Sequence, residues 1–301
     1  MRLWHSAGLG RGAANGLTPD QFDDLVFAQP YFDRNGFLLA CEGDRVVGFV
    51  HAGFGADTTQ QQLCCNEGAV CAVVVDPQFR RQGIGRRLVE LAEQYLRQKG
   101  ASSIRAGSAP PCDPFYFGLY GGCQPAGFLQ SDAAADPFFQ RLGYVPVSRH
   151  LIYQRKIADG SDPIGLRLMS IRRSTQLAII EPGERRPWWW QTRTGRLDTV
   201  DMALIPKAGG DPLASVTMIG LDLYIPRWGT RPIGLNDLWV SESLRGKGYG
   251  QALIVEVCRR MRNEMIGLAE AHAAETDQGA IGVLKSSGFQ QVDVGVVYRK
   301  A

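Results

Sequence analysis

The sequence predicts an α/β protein that contains two tandem copies of one fold. Two six-residue segments, 80–85 and 245–250, both read R-x-x-G-x-G. Each follows a short apolar run typical of a buried strand and opens a stretch with helical spacing of apolar residues. The flanks also match, because an apolar residue stands one position before each arginine and a leucine eight positions after it. A duplicated motif with flanks in register is a much stronger signal than either motif alone.

In the first copy, strands precede the loop and a helix follows it. Residues 2–4 have the pattern of a short strand, and Thr18 followed by Pro19 is typical of a helix N-terminus. The remaining elements predicted for this copy are a hairpin over 37–41 and 45–54, a strand that ends at Val75, a helix over 86–99, a strand over 103–106, a short helix over 132–142 and strands over 145–155.

The second copy repeats this order after a polar, turn-rich linker at 159–163. We therefore predict one domain over residues 1–158 and another over 159–301. Its predicted elements are a strand over 165–172, a hairpin over 199–206 and 213–224, a strand over 235–240, a helix after it, a strand over 268–273, a helix over 277–287 and a last strand over 292–299. Three adjacent tryptophans, 188–190, favour packing in a core or between domains over a stacking surface for a ligand.

The first copy carries about 20 extra residues. From Arg80 to the Gly-Tyr pair at Gly143 is 63 residues, whereas from Arg245 to the Gly-Phe pair at Gly288 is 43. The extra residues follow Ala106, and the stretch 110–122 is rich in proline, glycine and aromatic residues. Because ligands of open α/β sheets bind beside strand ends, this insertion is either a lid or wall of an acceptor pocket or an ordinary packed surface loop.

Composition narrows the class of protein. The 301-residue chain has a net charge of only +3 with scattered arginines, so we expect no nucleic-acid partner. No apolar run approaches the roughly 18 residues of a membrane span, and the first residues do not resemble a signal peptide. The seven cysteines form no C-x-x-C or other metal-binding spacing, which favours free thiols and no bound metal. We expect a cytoplasmic monomer or homodimer.

The repeated loop has the properties of an anion site. The first N–H groups of a helix lack intrahelical partners, and the helix dipole adds partial positive charge there. Glycines let the backbone turn tightly and approach a phosphate closely. The spacing is neither that of the Walker A loop nor that of the dinucleotide fingerprint. A pair of glycine-softened turns with no ligand is the weaker interpretation.

The R-x-x-G-x-G loops, each between a strand and a helix, resemble the acetyl-CoA loop of the GNAT N-acetyltransferase superfamily. The resemblance covers most of the chain, twice. It implies two tandem GNAT-like domains, each with a mixed, mostly antiparallel sheet flanked by helices, and acetyl-CoA as co-substrate. The backbone at the end of the strand before each loop would then bind the pantetheine arm and the oxyanion of the reaction. The implied cofactor-binding residues are Val73, Val75, Arg80, Arg81, Gln82, Gly83, Ile84, Gly85 and Arg86 in the first copy, and Leu238, Val240, Arg245, Gly246, Lys247, Gly248, Tyr249, Gly250 and Gln251 in the second.

An amine acceptor must lose a proton before it attacks a thioester, and a carboxylate, a histidine or water usually takes it. In the first copy Glu67 lies just before the loop-feeding strand. In the second copy Asp237 lies within that strand, and Glu270 and His272 lie on the next one. Each of these side chains is more often structural than catalytic, so all remain candidates.

The general acid is harder to place. In the resembled family a tyrosine often protonates the departing thiolate, four residues before the glycine of the final Gly-aromatic pair. Phe139 and Leu284 occupy that position here. The general acid is then Tyr116 or Tyr120 of the insertion, or the thiolate takes its proton from solvent. Alternatively, one copy binds CoA without catalysing a reaction.

The sequence therefore predicts an N-acetyltransferase that moves an acetyl or related acyl group to an amine of a small molecule or peptide. Tandem architectures of this kind include mycothiol-synthase-like enzymes, a comparison that names no substrate. Two alternatives stay open: a non-catalytic acyl-CoA-binding or regulatory protein, and one catalytic copy paired with a degenerate structural copy.

Overall fold

The computed structural model describes residues 1–181 and 186–301. The strands are β1 Phe37–Glu42, β2 Arg45–Ala56, β3 Leu63–Val75, β4 Ser103–Ala106, β5 Phe128–Leu129, β6 Tyr144–Lys156, β7 Thr175–Ile180, β8 Thr199–Pro206, β9 Ala214–Gly220, β10 Pro232–Val240, β11 Leu268–Ala274 and β12 Gln290–Lys300. The helices are α1 Arg2–Ser6, α2 Pro19–Phe22, α3 Ile84–Gln98, α4 Ala135–Arg141, α5 Leu166–Ser174, α6 Trp188–Thr194, α7 Ile225–Trp228, α8 Tyr249–Asn263 and α9 Gln278–Ser286. Among the described residues, no helix is both long and apolar enough to cross a membrane.

The chain forms two compact units that are not contiguous in sequence. The first contains Met1–His150, Pro187–Arg196 and Val294–Ala301. The second contains Leu197–Asp293 and the described part of Leu151–Arg186. Strands β6 and β12 therefore each contribute residues to both units, and helix α6 belongs to the first. The division into domains at residues 158 and 159 stays a prediction.

The first unit is a mixed, mostly antiparallel sheet in the order β1-β2-β3-β4-β12, with β5 beside β12. Strands β1, β2 and β3 pair antiparallel, β3 and β4 pair parallel, and β12 runs antiparallel to β4 and β5. Helix α3 covers one face, since Leu88 and Leu96 pack with Val50 and Ala52 of β2 in one buried cluster. Burying side chains of this size contributes on the order of 1.5–3 kcal/mol each.

The second unit repeats this pattern with β11-β10-β9-β8-β7. Strands β7 to β10 pair antiparallel in sequence order, and β10 pairs parallel with β11. Helix α8 packs on this sheet through Leu253, Val257 and Met261, all buried in the core of the unit. The predicted mixed, mostly antiparallel sheet flanked by helices is therefore confirmed in both units.

Two local predictions were wrong. Residues 2–4 belong to helix α1, in which the adjacent Leu3 and Trp4 are both buried, an arrangement that a strand with alternating faces would not give. Residues 166–174 form helix α5 because Leu168 and Ile171, three apart, both pack on the core of the second unit. By contrast, the predicted helix start at Thr18 is confirmed: its hydroxyl accepts from the backbone N–H of Gln21, and its own N–H donates to the Gln21 side chain.

Candidate functional site

The two glycine loops have the same backbone course. After β3 a short 3₁₀ turn leads to Gly83, which has φ +86° and precedes the first residue of α3. After β10 a matching turn leads to Gly248, which has φ +89° and precedes α8. Only glycine adopts this left-handed conformation at little cost. The free N–H groups of a long helix therefore stand at the end of each loop.

The first arginine of each motif donates a hydrogen bond back to the end of the preceding strand. Arg80 donates from Nε to the carbonyl oxygen of Val75 at 3.0 Å, and Arg245 donates to that of Val240 at 3.3 Å. Arg80 also donates to the backbone carbonyl of Ala7. These arginines thus bridge the strand end to the start of the loop, a contact that sequence reasoning missed.

The strand before each loop separates from its parallel neighbour at the same position of the repeat. Pairing of β3 with β4 ends at Val70 and Ala106, and pairing of β10 with β11 ends at Leu235 and Ala271. Just beyond, β3 has a bulge at Cys71 in its pairing with β2, and β10 has one between Asn236 and Trp239 in its pairing with β9. Each gap leaves the last backbone groups of its strand able to bond a ligand in place of the parallel strand.

In the first unit this gap opens into a cavity of about 440 Å³. The cavity lies between the end of β3, the start of α3 and helix α4. It is lined by Ala7, Gly8, Leu9, Val73, Val74, Val75, Phe79, Arg80, Arg81, Gly83, Gly85, Arg86, Phe128, Asp132, Ala134, Ala135, Pro137, Phe138, Phe139, Arg141 and Leu142. A Cβ added at Gly83 would meet no atom within 4 Å, so the loop backbone is open to a ligand there.

Most of the residues predicted to bind the cofactor in the first copy line this cavity. Gln82 and Ile84 do not, since the Ile84 side chain packs on the core of the unit. Phe138 and Arg141 are lining residues that the motif did not reveal. In the second copy, Leu238, Val240 and Tyr249 pack partly buried on the core, Lys247 is exposed, and Gln251 donates to the backbone of Ser286. The roles of both sets toward a cofactor stay predictions.

A small aromatic chamber adjoins the large cavity. Its volume is about 30 Å³, and the two spaces share Leu9, Val73, Val74, Phe128 and Asp132. The insertion supplies two of its walls, Tyr116 and Tyr120, which are the two tyrosines named by the sequence as candidate acids.

Tyr116 forms a buried pair with His51, a residue that the sequence did not single out. The hydroxyl oxygen lies 3.1 Å from His51 Nδ1, and both side chains are buried. Burial lowers the pKa of His51 to about 3, so the ring is neutral near pH 7 and shares a hydrogen bond with the Tyr116 hydroxyl through Nδ1. Burial also raises the pKa of Tyr116 well above its ordinary value of 10, which keeps the hydroxyl protonated.

The insertion is part of the interior of the first unit. Cys112, Phe115 and Leu119 are each at most 5% exposed. A Cβ at Gly53 would lie 2.6 Å from the Phe115 ring, so the glycine of β2 makes room for the insertion. The interpretation as an ordinary surface loop was wrong, and the insertion forms a wall of the chamber.

Helix α6 contacts the insertion through hydrogen bonds and an ion pair. Trp189 is buried and donates from Nε1 to Asp113 at 3.2 Å, and Arg193 pairs with the same buried carboxylate. The Tyr31 ring lies 4.8 Å from that of Trp189. The prediction that the tryptophans serve packing is confirmed for Trp189. Residues 182–185 of the segment before this helix lie outside the described residues.

The candidate bases are all engaged with charged or polar neighbours. Glu67 pairs with Arg105 and with Arg299, the latter at 3.4 Å, and does not line either space in the first unit. Asp237 has φ +52° at the bulge of β10, and its carboxylate lies 3.4 Å from Arg186.

In the same unit as Asp237, the side chains of His272 and Glu270 are completely buried and lie 3.4 Å apart. Glu270 also accepts from Gln154 at 2.7 Å. None of these contacts selects one residue as the base, so all four carboxylate and histidine candidates stay predictions.

Comparison with known proteins gives consistent matches. The family model "Acetyltransferase (GNAT) family" matches residues 13–119 and 178–289, one match for each glycine loop. Mycothiol acetyltransferases from Kocuria rhizophila and Catenulispora acidiphila are 37% and 30% identical over 83 residues. Those matches span about a quarter of this chain and about a quarter of each relative.

Two solved structures are similar over nearly the whole chain. A tandem GNAT protein from the clavulanic acid biosynthesis pathway has a TM-score of 0.63 at 18% identity, over 98% of this chain and 92% of that one. A GCN5-related N-acetyltransferase from Sphaerobacter thermophilus has a TM-score of 0.60 at 15% identity, over 99% and 90%. At these identities the structures establish the shared fold.

Proposed function

The chain belongs to the acetyltransferase (GNAT) family, and from this premise we propose that it is an acetyl-CoA-dependent N-acetyltransferase whose cofactor binds in the first unit. The observation that carries the proposal is the open Gly83 loop standing over a cavity of about 440 Å³ at the point where β3 and β4 separate. That volume falls in the range of small-molecule and cofactor sites.

The cavity offers suitable groups to each part of the cofactor. The N–H groups at the start of α3 and the guanidinium groups of Arg81 and Arg86 suit the phosphates. The backbone of Val73 and Val75, beyond the end of the parallel pairing, suits the amides of the pantetheine arm. The thioester would then lie beside the aromatic chamber.

Tyr116 is suited to act as the general acid. The neutral amine attacks the thioester carbonyl, the carbon–sulfur bond breaks, and the nitrogen gives up a proton to a base or to water as the amide forms. The departing thiolate takes the proton of the Tyr116 hydroxyl. Water then restores that proton. His51 orients the hydroxyl through its Nδ1 contact. Proton transfer by a side chain positioned in this way accelerates a reaction on the order of 10²–10⁴-fold.

The acceptor is an amine of a small molecule or a peptide. Relatives named mycothiol acetyltransferase support a small-molecule acceptor, although the similarity covers about a quarter of their length. For removing the proton of that amine, Glu67 remains the candidate of the first unit, and Asp237, Glu270 and His272 remain the candidates for a reaction in the second.

The proposal is tested by calorimetric titration with acetyl-CoA, followed by release of free CoA thiol in the presence of a panel of amines. Binding together with amine-dependent thiol release is the expected result. Failure to bind either acetyl-CoA or CoA would overturn the proposal.

A second function, acyl-CoA binding without catalysis, is favoured by one observation. The positions where the family often has a catalytic tyrosine are Phe139 and Leu284, and both are buried in the cores of their units. Tight binding of acetyl-CoA with no thiol release for any amine would establish this alternative.

A further inference from the structure

The aromatic chamber suggests which acyl group the first unit accepts, an inference that rests on the proposed function. The chamber meets the large cavity at Val73 and Val74, where β3 has left β4. A cofactor arm that follows the end of β3 therefore reaches the chamber with its reactive end.

The chamber is small. A space of this kind needs roughly 10–15 Å³ to hold one water-sized atom. At about 30 Å³ it holds about two such atoms, which suits the methyl and carbonyl oxygen of an acetyl group. Each further methylene would have to displace wall atoms, and cores resist such overpacking.

The walls that close the chamber are held in place. Among the described residues, Trp4, Cys71, Ala72, Tyr116 and Tyr120 line the chamber without lining the large cavity. The ring of Trp4 stacks on that of Tyr116 with centroids 5.9 Å apart, and its Nε1 donates to the carbonyl of Ala14 at 3.0 Å. Tyr116 is fixed in turn by His51, and the Tyr120 hydroxyl accepts from the backbone of Leu129.

We infer that this chamber receives the acyl group of the bound thioester and restricts the first unit to acetyl-CoA, excluding longer acyl-CoAs. The insertion, through Tyr116 and Tyr120, is then a specificity element. The second copy lacks the corresponding 20 residues, so the device belongs to the first unit.

The test is a titration with CoA, acetyl-CoA, propionyl-CoA and butyryl-CoA. The titrated protein is the full chain with Gly248→Glu, which blocks the second loop. The measured heat of binding then comes from the first loop. One methylene in an apolar pocket is worth about 10–200-fold in discrimination. We expect butyryl-CoA to bind at least about tenfold more weakly than acetyl-CoA, with propionyl-CoA between them.

Enlarging the chamber should remove this discrimination. Tyr116 has φ +68°, so Tyr116→Gly deletes the ring while placing glycine where the backbone favours it. We expect the ratio of acetyl-CoA to butyryl-CoA affinity to fall at least about tenfold. Tyr116→Phe keeps the ring and is the matched control, with an unchanged ratio. Should Tyr116→Gly fail to fold in a thermal melt, Cys71→Ala removes one wall atom and is expected to admit propionyl-CoA.

Two failures are distinguishable. Loss of binding for CoA and every acyl-CoA would overturn the proposed function itself. Equal affinity for all the thioesters in the unmodified chamber, or a ratio that does not change in folded Tyr116→Gly or Cys71→Ala, would overturn the chamber inference and leave the proposed function standing.

Discussion

Gly83 and Gly248 end their loops with nearly the same φ, +86° and +89°, yet their surroundings differ. Nothing lies within 4 Å of a Cβ built on Gly83. A Cβ on Gly248 would lie 2.8 Å from Cδ of Arg167 and 3.6 Å from the Ile171 side chain, both on helix α5. The comparison teaches that a repeated motif can preserve the shape of a loop while neighbouring elements decide whether a ligand can reach it.

The strands beside the two loops differ in chemistry as well. Just beyond the last parallel pair, Ala72 of β3 lies opposite His51 of β2, which forms a neutral pair with Tyr116. The matching neighbour of β10 is Thr217 of β9, which donates to Asp201 at 2.6 Å in a group that includes Arg186. The first unit thus places a protonated hydroxyl beside its gap, whereas the second places an ion-pair network there.

The largest expected difference between the loops is in cofactor binding. Gly83→Glu puts a side chain at a left-handed position and a negative charge where a phosphate would sit, so we expect acetyl-CoA affinity to fall at least about 100-fold. Gly248→Glu should change it less than about threefold, because the open loop is the other one. Titration calorimetry measures both.

Gly43→Glu is the control for strain alone, since Gly43 lies in the β1–β2 turn with φ +56° and no atom within 4 Å of a built Cβ. If Gly248→Glu abolishes acetyl-CoA binding and Gly83→Glu does not, the assignment of the cofactor site to the first loop is wrong.

The next effect concerns the chemistry of the first unit. Tyr116→Phe should lower kcat about 100-fold with little change in KM for acetyl-CoA, because it removes the proton donor and keeps the chamber wall. Initial rates of thiol release over a range of pH check it. Tyr120→Phe is the matched control, and a loss in that variant alone would assign the acid to Tyr120.

A smaller effect is the pH dependence of stability caused by His51. Its pKa is about 3 in the folded protein and about 6.5 when unfolded. The unfolded chain therefore binds the additional proton, and this residue's contribution to stability is lost as pH falls from about 6.5 toward 3. The slope is about 1.4 kcal/mol per pH unit well below 6.5.

The free energy of unfolding is measured with denaturant for the natural chain and for His51→Phe. The difference between the two values is expected to grow at acidic pH. His5→Gln serves as a control at a largely exposed histidine. A difference that is constant between pH 7 and 5 would contradict the prediction.

The smallest effect is expected at the second loop. Arg167→Ala removes the side chain that crowds Gly248, so acetyl-CoA should bind the second loop a few-fold more tightly in a Gly83→Glu background. Arg173→Ala, on the same helix and exposed, removes the same charge without that contact. Weaker binding after Arg167→Ala would instead make this arginine a phosphate ligand.

Local features of the site could be read from the sequence because they depend on neighbours in the chain. The glycines at positions 83 and 248 dictate left-handed loop ends, and the apolar spacing of α3 and α8 dictates which face is buried. The duplication predicted the two similar sheets. Residues 2–4 and 166–174 were misassigned because so short a pattern fits a strand or a helix, and tertiary packing chose the helix.

The use of each loop was decided by contacts between residues far apart in sequence. His51 meets Tyr116 across 65 positions, and Asp113 meets Trp189 across 76. Helix α5 brings Arg167 against Gly248. The spacing of apolar residues in the sequence does not predict such contacts, because they depend on how the insertion and the helices pack on the sheet. The repeated motif predicted two equivalent anion-binding loops. Only the folded structure shows that the first loop stands over a cavity and that helix α5 lies against the second, because burial and access are properties of packed neighbours rather than of the motif.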